Sequence, residues 1–103
     1  MESVLEKYFI KKCNLNGLEI TFKLYPYTSG IPDRIILIPG GKVVFVELKN
    51  GKAGRLSKSQ QFMHDRLRRN GFEVYVIRNR EEVKAFIASQ LKGLSENGPA
   101  MDT

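Results

Sequence analysis

A chain of 103 residues fits one domain with one core, and 42% apolar with 27% charged residues is ordinary for a soluble globular protein. Seventeen basic residues against eleven acidic give a formal charge of +6, which favours a polyanionic partner without proving one. A single cysteine, Cys13, excludes an internal disulfide and any Cys-rich zinc site, while the opening MESVLEKYF has no signal-like apolar stretch and the longest apolar runs are strand-sized; a reducing, cytoplasmic setting with no membrane span is expected.

Residues 2–13 read as an amphipathic helix, with Val4, Leu5, Tyr8, Phe9 and Cys13 recurring at three- and four-residue steps. Glu2 and Glu6 lie one turn apart beside that stripe. NLNG at 14–17 is turn chemistry. Residues 18–25 form a first strand, Ile20, Phe22 and Leu24 alternating with Glu19, Thr21 and Lys23. PYTSG is a loop, and Pro32 stiffens the approach to a mostly apolar second strand at 34–38. PGG at 39–41 turns the chain, so the second and third strands make a hairpin. The third strand spans 42–49, with Glu47 and Lys49 on one face about 7 Å apart. NGKAGR is a polar, basic loop. Ser57 with Gln60 three residues on is a capping-box pattern, and that helix ends near Arg69, before Asn70-Gly71. Residues 72–77 are a short strand. Residues 80–91 are a last helix with Val83, Phe86, Ile87 and Leu91 inward, and the tail from Gly93 reads as frayed. A sheet covered by helices closes this order.

The charges inside the strands need an account. Taken singly, Glu47 is a strand residue paired with Lys49, and Asp33 caps a Pro-Asp turn. Taken together they differ, because the hairpin sets the start of the second strand beside the end of the third. Two carboxylates that meet there repel unless a cation intervenes, and carboxylate oxygens suit Mg2+ or Mn2+. The Leu48 carbonyl can add an oxygen ligand. Lys49 can orient or deprotonate a water, or offset charge in the transition state. These are the parts of metal-assisted phosphodiester hydrolysis.

The stretch GIPDRIILIPGGKVVFVELK resembles the PD-(D/E)xK nuclease motif: Pro32-Asp33, a hairpin turn, then Glu47-Leu48-Lys49. The PDR triplet, the GG turn, FVELK and the Ser57–Gln60 helix start are similar to one branch, the VRR-NUC domain of virus-type replication-repair nucleases. RRNGFEVYVIRNREEVKAFI resembles its closing strand and helix, so the likeness runs from Glu2 to about Leu91. Lys58 departs from a frequent proline. The resemblance implies a restriction-endonuclease-like α/β core, a mixed four-stranded sheet flanked by helices in the order α-β-β-β-α-β-α. It implies a nuclease domain over residues 1–92 with a flexible tail at 93–103. It adds a first-helix glutamate to the site, Glu2 with Glu6 as its rival, and a strand lysine, Lys23. The implied activity is DNA hydrolysis with Mg2+ or Mn2+. Small stand-alone members resemble homodimers that cut four-way junctions in bacterial or phage-infected cells.

Further residues have two readings each. Gln60 either closes the capping box or positions water or phosphate near Lys49. His64, one turn on, either touches phosphate or is merely solvated. Lys52, Arg55 and Lys58 in and after the loop, and Arg68 with Arg66 and Arg69, either grip a DNA backbone or are solvated faces. Arg34 reads as structural or interfacial, Phe62 and Leu67 as core. Tyr25, Tyr27 and Ile31 are interface anchors, the tyrosines alternatively stacking on a base. Against the endonuclease stand a DNA-binding domain of this fold without catalysis, a monomeric nicking or flap nuclease, and a scaffold or inhibitor whose charges are only surface.

Overall fold

Seven elements follow the expected order: α1 (Val4–Leu15), β1 (Ile20–Lys23), β2 (Arg34–Ile38), β3 (Lys42–Leu48), α2 (Lys58–Arg69), β4 (Glu73–Ile77) and α3 (Arg80–Asn97). They are taken from a computed structural model that describes residues 3–25, 29–50 and 54–97. The four strands form one sheet in the order β1-β2-β3-β4. The first two pairings are antiparallel and β3–β4 is parallel, with α2 as the crossover that a parallel pair requires. This is the mixed, helix-flanked sheet of a restriction-endonuclease-like core.

The β2–β3 register runs from Ile38 opposite Lys42 to Arg34 opposite Val46. The turn that sets it holds Gly40 and Gly41 at φ of 94° and 93°, a region that side chains disfavour. One step beyond the last pair, Asp33 and Glu47 stand opposite each other.

Successive strand residues point to opposite faces, and the two faces are unequal. Ile36, Ile38, Val44, Val46 and Ile77 line one face, where Phe9 and Cys13 of α1 and Val83, Phe86 and Ile87 of α3 complete the core. Phe9 packs against Phe86, which in turn meets Tyr75 edge-on. Burial pushes the Cys13 thiol up to about 12, so it packs as a small apolar group. The opposite face carries Asp33, Ile35, Leu37, Phe45 and Glu47, and α2 lies over its β3–β4 half.

Four expectations change. α1 spans Val4–Leu15 rather than 2–13, because Ser3 and Glu6 form a capping box that starts it, and Val4 of the apolar stripe is exposed. β1 covers Ile20–Lys23 rather than 18–25, and its Ile20 and Phe22 point away from the core, 49% and 53% exposed. They sit across from Leu37 and Ile35 on the sheet's second face. Phe62 is exposed rather than core, because it lies two residues from both Gln60 and His64, and two steps of about 100° carry it to the far side of α2. α3 continues through Gly93 to Asn97, since Leu94 repeats the apolar step of Leu91 and packs on the core. The expected tail is thus helical over 93–97, and residues 98–103 lie outside the described ones.

Gly30 fixes α2 against the loop before Asp33. It has φ of 87°, and a Cβ there would collide with the Ser59 carbonyl in the first turn of α2. Gly41 has a similar φ but open space around it. Gly41→Ala is therefore expected to lose about 1–2 kcal/mol from backbone strain alone. Gly30→Ala should lose distinctly more, and paired urea denaturation curves compare the two.

Candidate active site

The end of the β2–β3 hairpin brings the sequence-predicted acids together. The Asp33 Oδ2 accepts the Leu48 N–H at 3.0 Å, which ties the Asp33 side chain across to β3. Backbone pairing continues on the other side, where the Leu24 N–H donates to the Asp33 carbonyl at 2.7 Å. Glu47 is only 2% exposed. Its Oε2 lies 3.5 Å from the Lys49 ammonium, the neighbour one pleat repeat away on the same face. Gly54 lies against the Lys49 side chain, where a Cβ would be 2.8 Å from that of Lys49.

Gln60 closes the capping box with one end of its amide and reaches Glu47 with the other. Its Oε1 accepts the Ser57 N–H at 2.9 Å, and its backbone N–H donates to Ser57 Oγ at 3.1 Å, closing the capping box. Its Nε2 donates to Glu47 Oε2 at 3.2 Å. The helix cap and the carboxylate are held by the same side chain.

His64 is a correction. It is fully buried, against the expectation of a solvated histidine or a phosphate contact. Its Nε2 stands 4.0 Å from Glu47 Oε1. Burial, then the Arg68 charge, hold it below the ordinary imidazole range, so it is neutral near pH 7. Its spacing from Gln60 shows the shared helix face, but burial depends on how α2 lies on the sheet.

Burial foremost, then the Asp33 charge and a hydrogen bond with its carboxyl, push Glu47 up to about 7; Lys49 opposes them only in part. A buried carboxylate beside another carboxylate is a poor place for a second negative charge.

Other predicted residues lie elsewhere. Glu6 Oε1 accepts the Ser3 N–H, and its Oε2 lies 3.8 Å from Arg34 and 4.0 Å from Lys23. Arg34 and Lys23 are cross-strand partners, and Arg34 points opposite to its neighbour Asp33. Glu6 and Lys23 are therefore on the core face, away from the Asp33–Glu47 pair. Arg34, read from the sequence as structural or interfacial, is buried and paired with Glu6, which makes it structural. Glu2, Lys52 and Tyr27 lie outside the described residues. Arg55 and Lys58 line an open cleft with Ser57, Gln61 and Arg78. Arg78 was not foreseen: it follows β4, whose parallel pairing with β3 sets Ile77 beside Leu48, and it donates to the Gly54 carbonyl. Only the strand order reveals that position. Arg68 sits at the other end of α2, donating to the Val74 carbonyl at 2.9 Å and pairing with Asp65 at 3.7 Å.

Among the described residues no three or more Asp, Glu, His or Cys side chains converge as a metal cluster. The donors present are two carboxylates, one with a buried Oε1 that lacks a hydrogen-bond partner. Such a set fits a hard cation that keeps several waters, as Mg2+ does on one or two carboxylates, better than zinc or copper.

Three comparisons bear on this geometry. The VRR-NUC domain family matches residues 20–81, more than half of the chain. The chain is 31% identical over 77 residues to the protein named "Putative nuclease p44" from Acyrthosiphon pisum secondary endosymbiont phage 1, covering 74% of this chain and 81% of that one. It is also similar to a solved structure described as a VRR_NUC domain, with a TM-score of 0.74 and 29% identity, covering 82% of this chain and 90% of the other.

The position of Glu47 has a consequence for stability. The folded apo chain holds a proton on Glu47 up to about 7, which the unfolded chain releases near the ordinary value of 4.5. The favourable contribution of this group is complete below that lower value and is lost as pH rises through the folded one. Urea denaturation between about pH 4 and about pH 8 should show wild-type stability falling across this window. Glu47→Gln should lack that component of the slope and be the more stable protein at the alkaline end.

Proposed function

This chain belongs to the VRR-NUC nuclease-domain family, and from that premise we propose that it is a DNA endonuclease that uses Mg2+ or Mn2+ to hydrolyse phosphodiester bonds. The observation that carries the proposal is the opposition of Asp33 and Glu47 across the hairpin, with Lys49 3.5 Å from Glu47. Asp33, Glu47 and the Leu48 carbonyl would hold the cation, with Glu2 as the candidate further ligand. When bound, the cation supplies Lewis acidity at the phosphate and acidifies a coordinated water.

The chain's own residues do the rest. Gln60 orients Glu47 through Oε2. Lys49 stands beside the carboxylates, where it offsets negative charge developing on the phosphate and can exchange a proton with the attacking water. Arg55, Lys58 and Arg78 offer three cations in one cleft at the start of α2, suited to backbone phosphates rather than base edges. The net charge of +6 supports a strongly salt-dependent grip.

Asp33→Asn keeps an acceptor for the Leu48 N–H, and Glu47→Gln keeps the shape of the side chain. Each is expected to fold, to lose calorimetric Mn2+ binding and to lose cleavage. Normal Mn2+ binding and normal cutting by both would remove the metal site. Lys49→Ala should still bind metal and DNA but cut slower by roughly 10²–10⁴. Full activity in Lys49→Arg would leave Lys49 a charge role alone.

We further propose that the active form is a homodimer that prefers four-way junctions. Ile20 and Phe22 with the half-buried Ile35 and Leu37 make an apolar half-face beside the active strands, suited to an isologous contact. The junction preference rests on the likeness to small stand-alone nucleases of this kind. Light scattering coupled to gel filtration should give a dimer, and Phe22→Lys a monomer. Comparing four-way, forked, flapped and linear DNA tests the substrate. A wild-type monomer at every concentration, alone and on junction DNA, would leave a nicking or flap-trimming nuclease.

A further inference from the structure

The Glu47 carboxylate has two oxygens, and α2 sends one side chain toward each. Gln60 Nε2 donates to Oε2 at 3.2 Å. Oε1 has no hydrogen-bond partner, and the nearest imidazole nitrogen, His64 Nε2, stands 4.0 Å away. Gln60 and His64 are four residues apart in α2, so they stack on one helix face.

His64 is fully buried, and neither ring nitrogen has a hydrogen-bond partner. Burying an imidazole loses its contacts with water, and without new ones nothing is returned. A leucine or methionine would fill the same position without that loss. Packing alone therefore does not explain a histidine here. The gap to Oε1 is about 1 Å longer than a hydrogen bond, and a small rotation of either side chain closes it.

We propose that His64 is a positioning residue that holds the metal-bearing form of Glu47, its Nε2–H donating to Oε1 while Gln60 holds Oε2. One donor on each oxygen prevents rotation of the carboxylate. The remaining lone pairs are then aimed toward Asp33, where the cation would sit. Outer partners of this kind orient ligating carboxylates and histidines. His64 touches neither substrate nor cation in this arrangement. The inference rests on the metal-nuclease reading of Glu47 and adds to it the device that keeps the ligand in place.

His64 is the chain's single histidine, so its ring signals need no assignment. Long-range 1H–15N spectra of the wild-type protein with Mg2+ should show the Nε2–H tautomer. An Nδ1–H tautomer, with Nε2 bare, would overturn the proposal without any mutation. Three variants then separate position from packing. The amide nitrogen of His64→Gln reaches near the place of Nε2, whereas that of His64→Asn reaches only near Nδ1. Calorimetric Mn2+ affinity should fall roughly 10–100-fold in His64→Asn and His64→Leu, and much less in His64→Gln. The melting temperature of apo His64→Leu should match or exceed wild type. Wild-type Mn2+ affinity in all three variants would reduce His64 to a core residue. A wild-type protein that binds no Mn2+ would instead remove the metal reading itself. Should His64→Leu fail to fold, the ring spectra and the Gln–Asn comparison still decide.

Discussion

Repulsion between Asp33 and Glu47 is the constraint around which the rest is arranged. Neither acid can move off easily. Asp33 is tied to the Leu48 N–H, and Glu47 is buried under α2. The glycines at 40 and 41 let the hairpin turn tightly, and the register they allow sets the two acids opposite. Gly30 brings the loop before Asp33 onto the backbone of α2, so the helix that carries Gln60 and His64 is placed by the same segment that carries the acid. In the metal-free protein a proton held on Glu47 relieves this repulsion, and in the nuclease reading proposed above a cation would take the place of that proton.

The sheet divides the work between its faces. One face meets α1 and α3 and holds most of the buried apolar side chains. Arg34 is buried on that side with Glu6, so the residue beside Asp33 in sequence serves structure, not chemistry. The other face is covered over β3 and β4 by α2, whose only fully buried side chain is His64. A thin, polar cover suits a site that must admit a large anionic substrate, whereas a second apolar core there would close it.

The hairpin, its opposed acids and the Ser57 cap were legible because each follows from local rules: a PGG turn, a period of two, and a four-residue capping pattern. β2 and α2 stand where those rules put them. What was not legible depends on assembly. Alternation in β1 shows that Ile20 and Phe22 share a face but not which face, and they lie on the open one. Glu6 could be placed near a metal only until its partners were known. Ser3 and Glu6 spell a capping box as plainly as Ser57 and Gln60, and that signal also accounts for the start of α1. Burial of His64 and the approach of Arg78 to the cleft depend on the parallel β3–β4 pairing, which no local pattern encodes.

The two capping boxes make different demands on their third residue after the cap. Helix energetics accepts glutamate or glutamine there. In α1 it is Glu6, whose spare oxygen faces Lys23 and Arg34. In α2 it is Gln60, whose spare N–H group faces Glu47. Exchanging the two would leave both caps intact yet set a third carboxylate beside the acids and an uncharged amide beside two cations. Drift under selection for helix stability alone would pass freely between these letters. At position 60 a glutamate would add a carboxylate beside Asp33 and Glu47, so this helix start is matched to the charge on a neighbouring strand as well as to its own cap.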